Sequence, residues 1–158
     1  MTTAWVPLAT TTLSSSANSV TFASIPSGYR DLIVVAERSV TSGANSEKFY
    51  LNTDTTNNNY TRIAMYGTGS SALSYAGTNS STVGLTTTSG LIVYQLMDYS
   101  ATDKHKVFLY REDKASVQTL AGVHRWASTA AVTSIEIEAE NNTYAIGSRF
   151  SLYGSNRL

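Results

Sequence analysis

Apolar residues recur at every second position along much of this chain, the spacing of a strand with one buried face. In the run Val132 to Glu140, Ile135, Ile137 and Ala139 fall on one face, with Glu136, Glu138 and Glu140 opposite. The run Arg149 to Gly154 puts Phe150 and Leu152 inward, against Ser151 and Tyr153. Val20 and Phe22 alternate with Thr21 and Ala23. Between His105 and Asp113, Val107, Leu109 and Arg111 alternate with Lys106, Phe108 and Tyr110, which predicts a strand with both faces partly covered. The stretches Leu32 to Arg38 and Leu91 to Tyr99 are more continuously apolar, as expected of central strands covered on both sides. The predicted core therefore includes Val20, Phe22, Leu32, Val34, Leu109, Ile135, Ile137, Phe150 and Leu152.

Turn signals separate these runs. Pro26-Ser27-Gly28 fits a type I turn, with Pro at the second position and Gly at the fourth. Ser42 to Asn45, Thr68 to Ser71 and Thr88 to Gly90 also read as turns, and Glu140 to Thr143 predicts a short hairpin between the last two strands. Asn52 to Asn59 is a polar loop between Lys48–Leu51 and Tyr60–Gly67. Roughly eight to ten short strands result, the pattern of a sandwich or barrel. With no repeat or linker, the prediction is all-β: one antiparallel β-sandwich over residues 1–158, preceded by an extended, uncharged segment to about Thr12.

Composition strengthens this reading. Ser and Thr number 44 of 158 residues, while charged residues make up only 14%. Exposed helices draw on Glu, Lys, Arg, Gln and Ala, whereas exposed strands and turns tolerate Thr, Ser, Tyr and Asn. The 11 basic and 11 acidic residues balance, which argues against nucleic acid as a partner, because phosphate neutralisation needs clustered Lys and Arg. The same balance argues against a polybasic membrane-surface role. The absence of cysteine removes disulfide frameworks, thiol nucleophiles and Cys-zinc sites. The opening twenty residues lack a basic n-region, and the apolar runs are too short to cross a bilayer, so a soluble, unprocessed chain is expected.

Candidate chemistry is sparse. His105 and His124 have no metal-ligand spacing, and no G-x-S-x-G nucleophile elbow is present. His105 is expected to be solvated at a strand start, and His124 to pack at an edge or subunit contact. Glu136, Glu138 and Glu140 form a row suited to solubility, edge protection or a basic neighbour, rather than the facing carboxyl pair of a glycosidase. Asn52, Thr53, Asp54 and Asn57 to Asn59 offer oxygens that calcium would accept, but the EF-hand spacing is absent and an Asx-rich turn is the expectation. Gly67-x-Gly69 lacks the third Gly of a dinucleotide fingerprint. Trp5, Trp126 and the tyrosines would suit a sugar-stacking platform, although packing is the commoner fate of such residues. No catalytic residue, cofactor or obligatory metal is expected.

The two ends of the chain carry a resemblance. Leu13, Ser14, Ser15, Ala17, Ser19, Val20, Phe22, Ile25, Pro26, Tyr29, Asp31 and Leu32 form one motif, and Gly147, Ser148, Phe150, Ser151, Leu152, Tyr153 and Gly154 form the other. Upstream of the second lie Trp126, Ser128 to Ala131, and Thr133 to Ile135. This bracketing resembles small virion proteins and tail-fibre modules of tailed bacteriophages. Thr143-Tyr144 departs mildly from the pattern, and the chain runs on to Leu158. The resemblance implies a jelly-roll-like sandwich located in the virion, commonly trimeric, and it brings no catalytic residues.

Three functions follow as expectations. The first is a capsid decoration or cement protein, a homotrimer on the outside of the major capsid protein lattice, whose N-terminal segment clamps a neighbouring sheet edge. The second is a tail-fibre or receptor-binding module recognising a host surface glycan, which would ordinarily carry a shaft. The third is a carbohydrate-binding or carbohydrate-active protein.

Overall fold

Two-residue alternation resolves into two antiparallel sheets that bury their facing sides against each other. The computed structural model describes residues 5–41, 45–86, 89–114 and 118–156. Its strands are β1 (Trp5–Thr12), β2 (Ser19–Phe22), β3 (Leu32–Arg38), β4 (Asn45–Leu51), β5 (Tyr60–Gly67) and β6 (Ala72–Thr78). They continue with β7 (Thr82–Thr86), β8 (Gly90–Met97), β9 (Lys106–Lys114), β10 (Gln118–Trp126), β11 (Ile135–Glu140) and β12 (Arg149–Ser155). One sheet runs β1-β12-β3-β8-β9-β10-β5-β6 and the other β2-β11-β4-β7. The predicted β-sandwich is present, with more strands than the turn signals separate.

The strand order explains its architecture. Setting aside β5, β6, β9 and β10 leaves β1-β12-β3-β8 facing β2-β11-β4-β7. That is the connectivity of a jelly roll, in which the chain crosses between two four-stranded sheets at every step but one, here β4 to β7. The four remaining strands are two hairpins, inserted after β4 and after β8, that widen the first sheet to eight. Because the second sheet keeps four strands, β5 and β6 overhang it. Among the described residues, no helix is long and apolar enough to cross a membrane.

Aromatic rings fill the space between the sheets. Phe49 on β4 lies 4.5 Å from Tyr94 on β8 and 4.6 Å from Phe108 on β9, ring centre to ring centre. Val20, Phe22, Leu32, Val34, Ile135, Ile137, Phe150 and Leu152 are buried as predicted. Leu109 is not: it is 42% exposed. Both phases of β9 carry apolar residues, and the inward phase belongs to Phe108 and Tyr110, whose rings bury more area than Val107 and Leu109 would.

Two connections also differ from the prediction. Glu140 to Thr143 does not close a hairpin, because β11 and β12 lie in different sheets. The chain instead arches across the end of the sandwich, so Ile135 and Ile137 face Phe150 and Leu152 through the core. Buried Tyr144 holds this arch by bridging to both Ala17 and Val40. The N-terminal segment is not a free clamp either. From Trp5 it is β1, paired antiparallel with β12 of its own chain, and Leu8 packs against the core. Satisfying its backbone groups within the molecule competes with any neighbour's edge.

The expected turn at Thr68 to Ser71 is the β5/β6 hairpin, closed by Thr68 N donating to Ser71 O at 2.9 Å, with Gly69 at φ +86°. Of the expected turns at 42–45 and 88–90, residues 42–44 and 88 lie outside the described residues, and Gly90 is the first residue of β8. The two terminal motifs meet in space. A Cβ on Gly154 would lie 2.5 Å from the Tyr29 ring, and Asp31 N donates to Ser155 Oγ at 3.0 Å.

Candidate functional site

The polar residues singled out in the sequence are held by the fold itself. Asp54 is the hub of the Asn52 to Asn59 loop. Its Oδ1 accepts from Thr56 N at 3.0 Å, and its Oδ2 accepts from Asn59 Nδ2 and Trp126 Nε1, each at 2.7 Å. Partial burial pushes the Asp54 carboxyl up, but the bonds from Trp126, Asn59 and Thr56 outweigh it and hold the group below its ordinary value. Asn52, at φ +52°, accepts from Thr133 N and Ser134 N through Oδ1 and donates to the Ala131 carbonyl. The loop's oxygens therefore tie β4 and β5 to the segment before β11. Among the described residues, no three His, Asp or Glu side chains are grouped to hold a metal ion.

His105 is exposed just before β9, as expected. His124 is not at an edge. It is fully buried, with Nε2 2.7 Å from the Ser80 carbonyl and its ring 4.9 Å from Phe108 and 5.6 Å from Tyr60. Alternation along β10 turns Leu120, His124 and Trp126 inward together. Burial, partly offset by the Ser80 bond and reinforced by Arg62, pushes the imidazole down to about 4, so it is neutral and donates from Nε2. Trp126 and most of the tyrosines are likewise buried, so they cannot form a sugar platform with Trp5.

Sequence reasoning missed an ion triad. Arg38 on β3 donates through Nε to Glu47 on β4 at 2.6 Å and through Nη2 to Glu112 on β9 at 2.7 Å. Tyr144 Oη donates to the other Glu47 oxygen at 3.0 Å. All three charged side chains are at most 1% exposed. Burial lowers the Arg38 affinity for its proton, but Glu47, Tyr94 and Glu112 more than compensate, so it stays charged. Gly84 makes room for Glu112, since a Cβ there would sit 3.0 Å from Oε2. The phase was available: Arg38 follows Leu32, Val34 and Ala36, and Glu47 precedes Phe49 and Leu51, on the inward side of each strand.

The two outer faces differ. On the four-stranded sheet, Glu136, Glu138 and Glu140 stand in a row beside Lys48, which bonds Glu140 at 3.0 Å. On the eight-stranded sheet, strand register aligns Ile63, Val123, Leu109, Gln95, Ile33 and Tyr153 in one row from β5 to β12. The adjacent row is Met65, Ala121, Arg111, Val93, Val35 and Ser151. Ile63, Met65, Leu109 and Leu91 are 58%, 65%, 42% and 41% exposed, so no described segment covers this face. Arg125 lies toward one margin, with Asp113, Glu37 and Arg149 toward the other. A shallow groove of about 280 Å³ runs across its centre past Val93, Gln95, Leu109, Arg111 and Ala121. This apolar face is the candidate functional surface.

No protein-family model matches this chain, and no curated protein matches it.

Proposed function

We propose that this chain is a non-enzymatic structural protein of a tailed-phage particle, a decoration or cement protein that lies on the outside of the head. The observation that carries the reading is the uncovered apolar face of the eight-stranded sheet. β3 and β8 are apolar on both faces, the composition of strands buried on two sides, yet the chain covers only one side. A largely apolar face of this kind, interrupted at its centre by Gln95 and Arg111, marks an interaction surface. Eight strands about 4.8 Å apart, read across three or four outward rows, give about 800–1,000 Å², close to what one partner contributes to a stable interface.

The jelly-roll connectivity agrees with what the end motifs imply, and the homotrimer and the capsid lattice enter as the partners that resemblance suggests. The engaged polar groups support a structural role because half-buried Asp54, buried His124 and the buried Arg38 triad each hold strands together.

Counting and locating the protein in purified particles tests this reading. Hundreds of copies on the head surface are expected. Tens of copies or fewer at a tail tip would favour a receptor-binding module instead, and absence from particles would overturn both. In the same assay, Leu109→Asp should lower occupancy on the head without unfolding the chain.

A further inference from the structure

Each sheet has two edge strands, and three of the four are guarded against pairing with another chain. β1 carries Pro7 and a bulge between Pro7 and Ala9. β2 is only four residues long. β7 has five residues, and its register against β4 breaks between Glu47 and Lys48. Proline, bulges and shortness are the usual means of blunting an edge. β6 has none of them. Its seven residues, Ala72–Thr78, include no charge and no proline and hold an unbroken register with β5.

The hairpin geometry shows what this edge offers. Thr68 N donates to Ser71 O, so the pair closing the turn is a hydrogen-bonded one. Alternation from that point directs the N–H groups of Leu73, Tyr75 and Gly77 to β5, and those of Ser74 and Ala76 to the open side. The same hairpin carries much of the exposed apolar surface, with Ile63 58%, Met65 65% and Leu73 49% exposed. A cleft of about 410 Å³ lies at its tip, lined in part by Met65, Tyr66, Leu73 and Leu120.

We propose that β6 pairs antiparallel with β6 of a second copy of this chain about a two-fold axis, joining two eight-stranded sheets into one. An edge that pairs with itself must avoid opposing like charges, and an uncharged β6 meets that condition in every antiparallel register. The two-fold also brings the overhanging hairpins together, so Leu73, on the edge strand of both copies, adds apolar burial to the strand pairing. The contact uses an edge rather than the outer face, and it neither needs nor forbids three-fold association. Pairing turns a monomer into a dimer and a trimer into a hexamer, so a two-fold ratio of masses is its signature.

The experiment compares full-length wild type, Ala76→Pro and Ser74→Lys by light scattering from micromolar to hundreds of micromolar. Amide exchange in the wild type is followed over the same range. Ala76→Pro removes an outward N–H without touching the pairing with β5, and Ser74→Lys puts a charge beside the edge. The expected result is half the wild-type mass for both variants at high concentration, with unchanged far-ultraviolet circular dichroism. The amides of Ser74 and Ala76 should gain protection only as wild-type protein concentrates. Should Ala76→Pro misfold, Ser74→Lys and the wild-type exchange still decide. A wild-type mass that neither variant halves, or free exchange at Ser74 and Ala76 at the highest concentration, overturns the proposal.

Discussion

The guanidinium Nε of Arg38 lies 2.6 Å from Oε2 of Glu47, a bond that crosses from β3 in one sheet to β4 in the other. With Glu112 on the second guanidinium nitrogen, one buried cation serves two buried carboxylates. Replacing the cation alone leaves both without it, so Arg38→Met should destabilise the chain by about 3–5 kcal/mol. Replacing all three charges with apolar residues of similar volume removes the desolvation cost as well as the attraction, and should be far less damaging. Urea titration of the single and triple variants checks the contrast. A triple variant less stable than Arg38→Met would refute it.

His124 predicts how stability depends on pH. Its folded value is about 4, below the ordinary 6.5, so between these values the unfolded chain binds the extra proton. The contribution from this group is complete above about pH 7 and is lost as the pH falls through 6.5 toward 4. The full loss is at most about 3–4 kcal/mol, from about 1.4 kcal/mol per pH unit. His124→Phe should be less stable at neutral pH, because the Ser80 carbonyl loses its donor, yet its urea midpoint should vary less between pH 4 and 7. An equal slope in both proteins would rule out His124 as the source.

The alternation of Ile135, Ile137, Phe150 and Leu152 was legible because one phase of each strand is apolar and the other polar. β9 was not, since Val107 and Leu109 compete with Phe108 and Tyr110, and only its neighbours decide the phase. Arg38 ended the inward phase of a recognised strand and Glu47 stood just before the Lys48–Leu51 run, and a charge there looks like a strand end until its partner is placed. Pairings such as β1 with β12 join opposite ends of the chain, and no local pattern encodes them. The arch from β11 to β12 has the same cause: Glu140 to Thr143 is a turn in either arrangement, and packing across the core selects the crossing.

Phe150 and Leu109 separate the two faces of the large sheet experimentally. Phe150 is fully buried, 5.0 Å from the Tyr144 ring, and Phe150→Ala should cost about 3–5 kcal/mol. Leu109 points outward, so Leu109→Ala should change the stability of the isolated chain by only about 0.5–1 kcal/mol. Chemical denaturation of both variants is sufficient. Comparable losses would mean that the outer face is covered in solution.

Deleting Met1 to Thr12 should damage the fold before it damages any contact with a neighbour. The deletion removes β1, strips β12 of its partner from Arg149 to Ser155 and takes away Leu8, which packs against the core. It also breaks the bond from Thr10 Oγ1 to Ser151 Oγ at 3.2 Å. Losing one half-buried leucine and a run of strand pairing should cost about 2–4 kcal/mol, and it leaves a long, unguarded β12 edge in place of one protected by Pro7. The truncated protein should therefore melt at lower temperature and aggregate more readily than the full chain. A truncated chain with the wild-type melting temperature would instead make β1 dispensable to the sandwich and restore it as an arm for a neighbour.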